Sequence, residues 1–83
     1  MNKYLASYIY YDGDMNIINV VDDSNYITCN NAKKALERAI DYLIEQLDIV
    51  DIAGNMLYYT DDIGIEQVAQ IKIYDENLIE IRV

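Results

Sequence analysis

"KYLASYIYYDGDMNIINVV" (residues 3–21) sets Asp12-Gly13 between two runs of strand-forming residues. Asp-Gly in that setting marks a β-hairpin, because a tight type I′ turn needs positive φ at its centre. A two-residue loop pairs Tyr10 with Met15, Tyr8 with Ile17 and Leu5 with Val20. Side chains alternate along a strand. One face therefore carries Tyr4, Tyr8, Tyr10, Met15 and Ile17, and the other Leu5, Ile9, Ile18 and Val20. The aliphatic face is the expected core, which leaves the tyrosine face open.

Outward from this hairpin, "DDSNYITCNN" (22–31) reads as a polar loop. In "NAKKALERAIDYLIEQLDIV" (31–50), apolar residues recur at Ala32, Ala35, Leu36, Ala39, Ile40, Leu43, Ile44 and Leu47, one face of an amphipathic helix. Asn30 or Asn31 can cap its start, and Gly54 can terminate it in αL geometry. "NMLYYT" (55–60) is a short strand. "QVAQIKIY" (67–74) and "LIEIRV" (78–83) alternate about "DEN". With Asn77 in αL, that turn sets Ile73 against Ile79, Ile71 against Ile81, and Lys72 against Glu80. The order β-β-α-β-β-β gives an α+β domain over residues 1–83. About five largely antiparallel strands are covered on one face by one helix. Apolar sheet left uncovered points to a homodimer, through the sheet surface or an edge strand that includes Tyr8 or Tyr10.

The composition excludes most chemistry. The chain has no His, one Cys, no Pro and no glycine-rich phosphate loop. Imidazole-based nucleophile systems and thiolate zinc sites are ruled out. Cys29 has no partner for an internal disulfide, which suits a cytoplasmic protein. "DGDMN" (12–16) opens like a calcium loop, but Ile17 and Asp23 occupy the positions that need Gly and Glu. No catalytic residue, metal site or cofactor is expected. No apolar run is long enough to span a membrane, and no signal-peptide pattern is present.

Fifteen acids against six bases give a net charge of −9. This sign disfavours direct contact with nucleic acid or an anionic membrane and favours a basic protein partner. The charge is lopsided: residues 1–40 hold five acids and four bases, residues 41–83 ten acids and two bases. In the helix, Lys33, Lys34 and Arg38 come early, and Glu37, Asp41, Glu45 and Asp48 run to the end, followed by Asp51. This order opposes the helix dipole and places like charges four residues apart. With Asp61 and Asp62, these carboxylates are the candidate partner-binding residues.

Nine Tyr, no Phe and no Trp single out the aromatic that can both pack and hydrogen-bond, a type enriched at binding hot spots. Tyr4, Tyr8 and Tyr10 are the candidate interface.

With "NAKKALERAIDYLIEQLDIVD" flanked by hairpins, its short length and its acidic Asn/Ile/Tyr-rich composition, the whole chain resembles small acidic phage-encoded inhibitors of host defence, the anti-CRISPR kind. The resemblance implies a target in the host cytoplasm: a basic nucleic-acid-binding protein blocked at its DNA or RNA site. It assigns no residue a role. The alternative reading is a small homo-oligomeric adaptor or assembly module that uses the tyrosine-rich sheet face.

Overall fold

The computed structural model describes residues 1–83. The chain is α+β, an antiparallel sheet with one helix packed against it. The strands are β1 (Asn2–Tyr11), β2 (Ile17–Asp22), β3 (Ile27–Cys29), β4 (Asp48–Ala53), β5 (Met56–Thr60), β6 (Glu66–Tyr74) and β7 (Glu80–Ile81), and the helix is α1 (Ala32–Gln46). The main sheet runs β2-β1-β6-β5-β4, with β3 added to β1 and β7 to β6.

Seven strands stand where about five were expected. β3 lies within the stretch read as loop. It continues the edge begun by β2, after a break at residues 23–26 that shifts the register along β1 by two residues. β4 was read as helix tail. Asn31 does cap α1, its side chain accepting from the Lys34 N–H. The helix, however, ends at Gln46, and Leu47 is already extended. "DIVDI" alternates as a strand does and pairs with β5. Gly54 therefore does not terminate the helix. It opens a two-residue β4–β5 turn with φ +62°, the position that a type II′ turn assigns to Gly.

Three other hairpins share one turn, and it displaces the expected registers. In each, an Asp opens a five-residue loop and its Oδ1 accepts from the N–H groups two and four residues on. Asp12 takes Asp14 and Asn16, Asp61 takes Ile63 and Ile65, and Asp75 takes Asn77 and Ile79. The fourth residue has positive φ: Met15 (64°), Gly64 (84°) and Leu78 (61°). The 12–16 and 75–79 loops are longer than expected by the residues that the carboxylate gathers in. Tyr8 thus faces Val21 rather than Ile17, and Ile73 faces Ile81 rather than Ile79. The Lys72–Glu80 ion pair forms nonetheless, diagonally, at 3.6 Å.

Of the αL positions, only Gly64 has the residue that adopts this region freely. Met15→Gly is therefore expected to raise stability by about 0.5–1 kcal/mol, seen as a higher thermal midpoint. No rise would mean the turn holds Met15 without strain.

The largest correction concerns the faces of the sheet. The helix lies on the tyrosine side of β1: Tyr4, Ala6 and Tyr8 are buried with Ala35, Leu36, Ala39, Leu43, Leu57, Tyr59, Ala69, Ile71 and Ile73. Ile71, Ile73 and Ile81 face the helix as expected. Leu5 and Ile9 do not, and Ile18, Val20 and Ile79 are exposed. Small residues explain the choice. Ala6 and Ala69 on the sheet meet Ala35 and Ala39 on the helix, all at most 1% exposed, so the backbones approach closely. Long tyrosine rings then fill the wedges on either side, with hydroxyls at the rim. Tyr59 donates to Gln67 at 2.8 Å, and Tyr8 to Asp23 at 3.4 Å.

Candidate functional site

Strand directions bring one set of ends together. β1 ends and β6 begins at the same end of the sheet, since Tyr11 lies opposite Val68. Turns 12–16 and 61–65 therefore sit side by side, and Gly13 lies close to the Glu66 carbonyl. The helix finishes here too, because it leads into Asp48, which faces Thr60. Asp12, Asp14, Asp41, Glu45, Asp48, Asp51, Asp61, Asp62 and Glu66 are gathered toward this end of a molecule 40 Å long. All six bases lie in the remainder, where six acids balance them. The whole charge of −9 thus belongs to one pole.

None of the nine is ion-paired, for the molecule's two ion pairs are Lys34–Glu37 and Lys72–Glu80. The expected site residues divide. Glu37 is engaged by Lys34 at the opposite end of the helix. Asp41 and Glu45 are exposed on the helix, which has no basic residue in its last turn. Asp48 and Asp51 are in β4, not on the helix; Asp48 shares a cavity of about 230 Å³ with Asp61 and Asp62. Asp51 projects from the sheet face away from the helix, beside Tyr58. Asp61 spends one oxygen on its turn. Asp12 and Asp14 were missed as members of the pole, because strand direction alone brings them there, whereas Glu66 opens β6 just after Asp61 and Asp62. No three acidic or thiol groups converge to hold a metal ion.

Tyr4 and Tyr8 are 6% and 2% exposed and Tyr10 is half-buried, so the expected tyrosine interface is core. The most accessible aromatics are Tyr26 and Tyr42, about half exposed, followed by Tyr58 on the opposite sheet face. They line a cleft of about 290 Å³ at the break between β2 and β3, with Tyr8, Asp23 and Arg38. The Tyr42 ring lies 5.6 Å from that of Tyr8, and Arg38 donates to the Thr28 carbonyl at 2.7 Å. Burial holds the Tyr8 phenol well above its ordinary range, helped by the Asp23 charge. Comparisons with protein families, with curated sequences and with solved structures returned no match for this chain.

Burial also raises the Asp23 carboxyl above 3.8, against the hydrogen bond from Tyr8. An acid raised in this way is better tolerated protonated. Its ionised form costs stability as pH climbs through the raised value and above it. Asp23→Asn keeps an acceptor for Tyr8 and removes that cost. The variant is expected to melt higher at pH 7 than the wild type, with no gain at pH 3. A gain equal at both values would remove desolvation as the cause.

Proposed function

We propose that the chain is a non-enzymatic protein-binding inhibitor, phage-encoded and of the anti-CRISPR kind. It acts in the host cytoplasm, where its acidic pole occupies the basic nucleic-acid-binding groove of a host defence protein. The reading is carried by one observation, the concentration of the entire −9 in unpaired carboxylates at one end. A helical row alone spaces carboxylates at roughly 6 Å, from a 1.5 Å rise, against about 3.4 Å between phosphates along one DNA strand. The turn carboxylates Asp12, Asp14, Asp61 and Asp62 supply the density that the helix lacks. Asp12, Asp51 and Asp61 also serve the backbone locally, but Asp14, Asp41, Glu45, Asp48, Asp62 and Glu66 add like charge without such a return, which is the pattern of a surface kept for a partner.

The experiment is affinity capture from the native host's lysate, followed by competition on the protein recovered. A nucleic-acid-binding protein is expected, displaced by a DNA or RNA duplex of about 20 base pairs and released as salt rises. Capture that withstands high salt, or a ternary complex with nucleic acid still bound, would refute the reading.

A further inference from the structure

The sheet face away from the helix is bare. Read across the strands, its side chains form rows: Ile17–Tyr11–Val68–Tyr58, which ends on Asp51 at the β4 edge, then Val20–Ile9–Gln70–Met56–Ala53. Val68 is 7% exposed although no element covers it, because Tyr11 and Tyr58 flank it in register. A polar row lies beyond each side of this apolar band. Asp48, Thr60 and Glu66 stand toward the acidic pole, and Asp22, Ser7 and Lys72 away from it.

We propose that this face binds a second copy of the chain, about a two-fold axis that runs along the rows, across the strands, between Tyr11 and Ile9. The area suits a reversible dimer. The five strands have 10, 6, 6, 5 and 9 residues, which at about 4.8 Å spacing and about 3.3 Å per residue give a face of roughly 570 Å², below the ~800 Å² per partner of a standard stable interface. Charge selects the axis. Across the strands, each Tyr11 row meets the partner's Ile9 row, and each Asp48/Glu66 row meets the partner's Lys72 row. An axis along the strands would stack the two acidic poles on each other. The sheet edges are less available than the face: Asn19 Oδ1 takes the Val20 N–H in β2, and Asp51 Oδ1 takes the Ile52 N–H in β4, each at 2.9 Å. Edges with self-capped donors are poor templates for an added strand.

The inference is independent of the acidic-pole reading and fails separately from it. Light scattering and sedimentation of the full chain at about 100 μM are expected to report a dimer. Val20→Lys substitutes a half-exposed residue, so the fold survives, with circular dichroism as the check. It should weaken the dimer at least about tenfold, because a charge enters an apolar contact. Lys72→Glu, which also removes the pair with Glu80 of its own chain and so takes the same circular dichroism check, should weaken it too, and adding Glu66→Lys should restore it, since the exchanged charges meet across the axis. Host-protein capture by the Val20→Lys monomer should persist, as its acidic pole is untouched. A wild-type monomer at that concentration would overturn the proposal, as would a dimer indifferent to Val20→Lys. A double exchange that deepens the loss would overturn the proposed axis.

Discussion

Tyr8→Ala is expected to lower the thermal midpoint by more than about 12 °C and to leave little native protein at 37 °C. Deleting a fully buried aromatic costs about 3–5 kcal/mol, and a domain this small is stable by roughly 0.05–0.15 kcal/mol per residue. Each kcal/mol moves the midpoint of a small domain by about 4–8 °C. The ring is lost from contact with Tyr42, 5.6 Å away, and the cavity opens beside Ala39 and Ile71, which cannot collapse into it. Tyr8→Phe keeps the ring and removes only a long hydrogen bond to Asp23. Its cost is about 1 kcal/mol. Leu5→Ala, three residues earlier on the same strand but on the opposite face, should cost about 1 kcal/mol or less, because Leu5 already meets solvent. A reversed order, with Leu5→Ala severe and Tyr8→Ala mild, would put the helix on the wrong face of the sheet.

The same comparison measures what the sequence discloses. Period-3.6 spacing located the helix, and the Asn30-Asn31 pair located its start to within one residue, Asn31 being the cap. Period-2 spacing located β1, β5 and β6, and the Asp-Gly signal located the first turn. Which face of β1 is core was illegible from hydrophobicity, since both faces are apolar. The deciding signal is steric: Ala6 and Ala69 on the tyrosine side, facing Ala35 and Ala39, mark where a helix can come close. The registers were illegible for another reason. "DGDMN", "DDIGI" and "DENLI" share little beyond a leading Asp, and the side-chain bonds that set their length are not a periodicity. β4 was hidden because "QLDIVDIA" continues a helical pattern as readily as a strand. The acidic bias of the second half was plain in the sequence. Its focus into a pole was not, because Asp12 and Asp14 join it only through the antiparallel course of β1 and β6.

That focus makes charge reversal at the pole the sharpest functional test. Glu45 and Asp62 are the residues to change. Both are exposed, and neither side chain takes part in an ion pair or in a turn's hydrogen bonds, unlike those of Glu37 and Asp61. Neither lies in the rows of the open sheet face, so dimerisation should be unaffected. The double variant Glu45→Lys/Asp62→Lys takes the pole from nine carboxylates to seven with two ammonium groups. A basic groove then meets repulsion where it met attraction, which costs several kcal/mol for like charges brought together. Affinity for the captured host protein should fall at least about 100-fold, with the loss in the association rate and steepest at low salt. Stability should hold or rise. An ammonium group in place of the Glu45 carboxylate, at the end of the helix, would suit the dipole that Glu45 opposes, by about 0.3–1 kcal/mol, and the pole would repel itself less. The test therefore pairs a binding constant with a melting curve. Unchanged affinity in a folded variant would mean that the pole only keeps the chain soluble, and the proposed inhibitor reading would fail. Weakened affinity with a higher melting point would fit carboxylates retained for a partner at the expense of the fold.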